Sequence, residues 1–209
     1  MHLIEACHEA EKLDLLHCSS GNLSARSSDY ITITESGLWL GKADEYSFVY
    51  VDLKTGRKLN KEDNPSSELD SHLAIYRNTK SNAVLHCQPP SLTTLACIEN
   101  IEDYIGTVIP EQPFYIGRIG FVDYLPPSKR LAKRIGELSK YHKLIIMKNH
   151  GIICHGDSLK EVIQIAYFGE LMAKIQLPFI IESFTSELKD IPTKEIMNLM
   201  KLKTTKGKV

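Results

Sequence analysis

The sequence predicts a single α/β domain in which helices pack against a sheet. Stretches of strand-like alternation and stretches of helical spacing mingle along the chain, the pattern of a layered domain. No internal repeat, low-complexity run or Gly/Ser linker divides it, and 209 residues is about one domain's length, enough to bury a core without staples. The chain is 43% hydrophobic and 24% charged, which excludes disordered, collagen-like and coiled-coil classes.

The elements follow in order. Residues 1 to about 17 place Leu3, Ile4, Cys7, Ala10 and Leu13 on one side, with acidic residues and Lys12 opposite, an amphipathic helix. From Leu23 the period changes to that of strands. Tyr30-Ile-Thr-Ile-Thr alternates, Glu35-Ser-Gly turns the chain, and Tyr46 to Asp52 reads as a further strand. Pro65 and Ser66 precede Leu69, Leu73 and Tyr76 at helical spacing, predicting a helix over about 67–79 with a hydroxyl cap. Ala83 to Cys87 is a short strand. Pro89-Pro90 opens a helix through Ala96, and Pro126-Pro127 precedes one to about Lys140. Lys143 to Met147 reads as a buried strand, continued by Gly151 to Cys154 across an Asn-His-Gly turn. The longest helix is expected from Ser158 to about Gln176, and a last one from Pro192 to Leu202. Four lysines among the final nine residues suggest a solvated basic tail over about 203–209.

A net charge of −1 argues against nucleic acid or an acidic membrane as the main partner, since both select a basic surplus. No apolar run approaches the ~18 residues of a membrane span, and acidic residues interrupt the N-terminal segment where a targeting peptide would avoid them. Five cysteines form no CxxC pair, and an odd count suits free thiols. These features together predict a cytoplasmic protein.

Three segments combine glycine, hydroxyls and turns: Ser19 to Ser24, Glu35 to Gly37, and Pro65 to Ser67. Glycine admits close backbone approach, hydroxyls donate hydrogen bonds, and a helix N-terminus favours an anion, so the three together could cradle a phosphate; taken singly, each is more often just a turn and a cap. His86 and Gln88 lie two apart on a strand and share a face, while Cys87 points to the other. His150 sits in a turn between two apolar strands. Two imidazoles and a third polar group can hold a divalent metal, although such histidines are more often ordinary neutral ones. His72, one turn after Glu68, reads as a structural hydrogen-bonding group, and His155 as a surface side chain.

Taken in order, Ser20-Gly-Asn-Leu-Ser24, Ser36-Gly37, Pro65-Ser-Ser-Glu68 with His72 and Tyr76, Ala83-Val-Leu-His86 and Asn149-His-Gly151 resemble the class II aldolase/adducin family over roughly residues 3–176. The motif pattern is most similar to that of the L-fuculose-phosphate aldolases. The resemblance implies a mostly antiparallel sheet covered by helices on both faces. It implies a phosphate pocket of Gly21, Asn22, Ser36, Gly37, Ser66 and Ser67, with Ser36 where the aldolases more often have Thr. It further implies Glu68 as acid/base carboxylate, His86 and His150 as ligands of a catalytic zinc, and a proton-donating tyrosine from a neighbouring subunit of a homotetramer. That tyrosine falls near Tyr115, with Tyr104 or Tyr124 as alternatives.

One departure stands out. The family's third metal ligand comes from a His-x-His pair, and here the pair reads His86-Cys87-Gln88. A neutral amide oxygen weakens a zinc site and favours harder ions such as manganese or magnesium. Either Glu68 completes a His86/His150 site, since two histidines and a carboxylate form an accepted zinc set, or the metal has been lost as in the adducin branch. The resemblance thus implies metal-dependent cleavage of a ketose phosphate to dihydroxyacetone phosphate and an aldehyde through an enediolate. Epimerase and dehydratase chemistries use related intermediates, and an impaired, adducin-like binding or assembly protein is the reading from another class.

Overall fold

The computed structural model describes residues 1–60 and 64–183, together with Lys194. Seven strands form one sheet: β1 (Asn22–Ser27), β2 (Tyr30–Thr34), β3 (Phe48–Asp52), β4 (Ala83–Cys87), β5 (Ile119–Val122), β6 (Leu144–Met147) and β7 (Gly151–Gly156). Their spatial order is β3-β2-β1-β4-β7-β6-β5, and every neighbouring pair is antiparallel except β5 with β6. The expected mostly antiparallel sheet is therefore present.

Among the described residues five α-helices cover it: α1 (Leu3–Lys12), α2 (Leu69–Asn78), α3 (Pro90–Ala96), α4 (Lys129–Leu138) and α5 (Leu159–Ser183). The pleat of β6 shows how the layers divide. Leu144 and Ile146 join the core beneath α1, α3 and α5, whereas Ile145 and Met147 join the core beneath α2 and α4. Both faces are covered, so the strand is a continuous apolar run. On β4, Leu85 and Cys87 go to the first core and Val84 to the second, which leaves His86 on the α2 side.

Several boundaries differ from expectation for identifiable reasons. The first helix ends at Lys12 because Asp14 takes a left-handed conformation (φ 61°), and Leu15 N–H then closes onto the Ala10 carbonyl at 3.0 Å. That paired closure is a Schellman cap. The last described helix runs past Pro178 to Ser183; proline forfeits one backbone bond, but Ile180 beyond it remains buried with Met172 and Ala173. Strand β5 and the π-helical turn Gln112–Ile116 were not expected, the strand being only four residues long. The expected helix over 192–202 and the basic tail over 203–209 lie outside the described residues. Among the described residues no helix is long and apolar enough to cross a membrane.

His155 corrects another expectation. It is buried, with Nδ1 at 2.7 Å from Ser81 Oγ and Nε2 donating to the His142 carbonyl at 3.0 Å. Burial pushes its pKa down, and pushes that of His72 down to about 3. A histidine depressed in the folded state contributes stability that is full above its unfolded value of about 6.5 and is lost as pH falls. Urea unfolding is therefore expected to show stability declining from about pH 6.5 to about pH 5, before carboxylates titrate, and His155→Gln should flatten that slope.

Candidate active site

Three titratable side chains meet on the α2 side of the sheet, where the central strand β4 ends and β7 begins. Glu68 occupies the N-cap position of α2 but does not cap its own helix; Ser66 Oγ accepts the Glu68 N–H at 3.2 Å, and the carboxylate is free to turn towards the sheet. His86 is placed by the pleat of β4. His150 ends the β6–β7 turn, where Asn149 takes φ 56° and donates its N–H to the Ala96 carbonyl at 2.9 Å. Glu68 Oε1 lies 3.1 Å from His150 Nε2 and 3.5 Å from His86 Nε2. One ligand atom from each of the three falls within 4.8 Å of the others.

The protonation pattern follows from the partners. A backbone carbonyl only accepts, so His86 Nδ1, 2.7 Å from Ile152 O, must carry the N–H. Burial pushes the His86 pKa down, keeping the ring neutral, so Nε2 presents a lone pair to a carboxylate oxygen. Burial also opposes charge on Glu68, yet a proton on His150 Nε2, 3.1 Å from Oε1, favours the carboxylate, and the pKa of that carboxyl is lowered. Two acceptors facing one another across 3.5 Å are satisfied by a cation between them. Among the described residues Glu68 Oε2 and His150 Nδ1 are also buried without a hydrogen-bond partner. The donor set, two imidazoles and a carboxylate with a carbonyl fixing one ring, fits a divalent metal.

Gln88 follows Cys87 just past the end of β4, and its Cγ would lie 2.8 Å from a Cβ built on Gly151. Cys87 packs into the opposite core, as the alternation requires. At Gly151, φ is 137° and a Cβ would come within 2.6 Å of the Cys87 carbonyl, so only glycine lets the chain pass over β4 immediately after His150. Gly151→Ala is expected to destabilise the protein by about 2–4 kcal/mol in denaturant unfolding and to weaken metal binding by displacing His150.

The hydroxyl- and glycine-bearing loops converge beside this cluster. Ser36 N–H donates to Asn64 O at 2.9 Å and Ser66 N–H to Thr34 O at 3.1 Å, which sets Ser36-Gly37 beside Ser66-Ser67. Ser36, Gly37 and Ser67 are exposed, whereas Ser66 is buried. Gly21 (φ 91°) brings the backbone against the His86 carbonyl, 2.8 Å from where its Cβ would be, and Asn22 is the cross-strand partner of His86. His72 is structural as expected, its two ring nitrogens hydrogen-bonded to Ser24 and Asn22.

Tyr115 lies in the π-helical turn and packs with the α5 layer, stacked on Phe168 at 4.8 Å between centroids. It is not part of its own chain's Glu68 cluster. Two contributors escaped the sequence reading. The Ile152 carbonyl carries no side-chain signal at all. Lys148, which ties Glu102 (2.9 Å) and Asp123 (3.3 Å) to the turn that bears His150, could have been suspected only from its place two residues before that histidine.

A covered mixed sheet with a carboxylate and two imidazoles beside three donor-rich loops is the arrangement expected of a metal-assisted enzyme acting on an anionic small molecule. The chain belongs to the class II aldolase/adducin family: residues 1–177 match the family described as Class II Aldolase and Adducin N-terminal domain. It is similar to an L-fuculose phosphate aldolase of Methanococcus maripaludis, 35% identical over 145 residues, 68% of this chain and 76% of that protein. It is also similar to a 3-oxo-tetronate 4-phosphate decarboxylase of Escherichia coli K12, 34% identical over 149 residues, 68% of this chain and 69% of that protein. The crystal structure of YgbL from Escherichia coli superposes with a TM-score of 0.75 at 28% identity, covering 94% of this chain and 95% of that one.

Proposed function

We propose that the protein is a divalent-metal-dependent carbon–carbon lyase of aldolase type, which cleaves a ketose phosphate to dihydroxyacetone phosphate and an aldehyde through an enediolate. The observation that carries this reading is the cluster of buried Glu68 and His86 with half-buried His150, their ligand atoms within 4.8 Å, at the edge of loops rich in donors. In this reading Gly21, Asn22, Ser36, Gly37, Ser66 and Ser67 anchor the phosphate through backbone N–H groups, hydroxyls and one amide. His86, His150 and Gln88 hold the ion, with Glu68 closing the site when substrate is absent. A divalent ion there, zinc or a harder ion favoured by Gln88, supplies Lewis-acid stabilisation of the negative charge that develops on the substrate oxygens.

The rest of the work falls to the chain itself. Glu68, ionised at rest, takes the hydroxyl proton of the bond-breaking carbon and can return it to the enediolate carbon. The loops at 36–37 and 66–67 fix the phosphate so that the cleaved bond stays beside that carboxylate. Tyr115, directed away from its own cluster, is assigned as proton donor to a neighbouring subunit's site in a homotetramer. Five free cysteines, three of them buried, support a reducing, cytoplasmic setting.

The decarboxylase relatives support a second reading, since loss of carbon dioxide from a 3-oxo acid phosphate leaves an electron pair of the same enediolate kind. A panel of ketose phosphates and 3-oxo acid phosphates, with dihydroxyacetone phosphate and carbon dioxide measured in parallel, tests both. Dihydroxyacetone phosphate release with an aldehyde co-product is expected. Carbon dioxide release alone would transfer the assignment to the decarboxylases, and neither product from a metal-loaded protein would leave the adducin-like binding reading.

A further inference from the structure

A buried polar chain runs from α2 to the proposed phosphate loop. Tyr76 OH lies 2.8 Å from Ser24 Oγ, Ser24 Oγ lies 2.7 Å from His72 Nδ1, and His72 Nε2 lies 2.6 Å from Asn22 Oδ1. All four are buried, His72 and Ser24 completely. A neutral imidazole has one donor and one acceptor nitrogen, so the direction of every bond follows from any one of them. Among the described residues Ser24 Oγ is the side-chain partner of the Tyr76 hydroxyl, so it serves as the acceptor for the phenol proton. Ser24 then donates to His72 Nδ1, and His72 Nε2–H donates to Asn22 Oδ1. With its carbonyl held inward, Asn22 can offer only its NH2 group to whatever binds beside His86, its partner across the ladder.

We propose that His72 is a positioning residue: with Ser24 and Tyr76 it fixes the orientation of the Asn22 amide, so that the loop presents N–H donors to an acceptor-only group and discriminates against ligands that would need to donate a hydrogen bond there. This rests on the phosphate pocket of the proposed function. The opposite polarity would leave the buried phenol proton without an acceptor among the described residues.

Two measurements test it. Long-range nitrogen–proton NMR of the imidazoles is expected to show His72 as a single neutral tautomer, protonated at Nε2, near neutral pH. The Nδ1–H tautomer would overturn the proposal. In the second, inorganic phosphate is titrated into wild type, His72→Gln, His72→Leu and Ser24→Ala, following the Asn22 side-chain amide signals. His72→Gln keeps a donor near the position of Nε2 and is expected to bind phosphate within about threefold of wild type. His72→Leu is expected to lose about tenfold, the scale of one charge-assisted hydrogen bond. Ser24→Ala, the mildest packing change, covers the case in which His72→Leu does not fold, and is expected to weaken binding severalfold. Unchanged affinity in the folded Leu or Ala variant would overturn the proposal alone. Failure of wild type to bind phosphate would overturn the pocket reading and the proposal with it.

Discussion

His150→Ala is expected to lower carbon–carbon cleavage by at least about 10³-fold and to leave the purified protein without bound metal. Only one imidazole would remain, on β4, and the Glu68 oxygen now 3.1 Å from His150 would lose that partner. Glu68→Gln offers the informative contrast. The amide keeps the shape of the carboxylate, so the ion should stay bound by the histidines, while removal of the base should still reduce kcat by about 10²–10⁴-fold. Metal content after dialysis, measured beside kcat and KM, separates the two effects. An active, metal-loaded His150→Ala protein would remove His150 from the centre.

The second large effect is expected from Gln88→His. The residue follows the end of β4 two positions after His86, and its Cγ packs against Gly151, the neighbour of His150. An imidazole at this position would restore a three-nitrogen set and raise zinc affinity by about 10–100-fold, with little gain for manganese, because nitrogen ligands favour zinc more strongly than they favour harder ions. Competition against a chromogenic chelator reads both affinities. The substitution should also reduce the need for Glu68 in the resting site, leaving the carboxylate available as base.

The features legible in the sequence were those set by local period and chain order. Alternation along Ala83 to Cys87 was enough to send His86 to one face and Cys87 into the opposite core. Proline and serine before Leu69 located the start of α2, although the N-cap proved to be Glu68, with Ser66 serving it from two residues back. The antiparallel order and the convergence of the three loops depend on contacts between distant segments, such as Thr34 with Ser66, and came from resemblance to a family. Other features left no local trace. β5 is short and owes its existence to its neighbour β6. His155 looked like a surface residue because nothing nearby in sequence announces Ser81, its partner just before the neighbouring strand β4. The carbonyl that fixes the His86 tautomer belongs to Ile152, an apolar residue whose type says nothing of that role.

The central claim is that Glu68, His86 and His150 form a metal centre, and zinc titration of metal-stripped wild type, Gln88→His and His150→Ala tests it most directly. The account predicts one ion per chain in the first two, bound more tightly by Gln88→His than by wild type, and no specific binding by His150→Ala. Equal affinity in all three proteins would contradict it, because the ion would then be bound somewhere other than beside these residues.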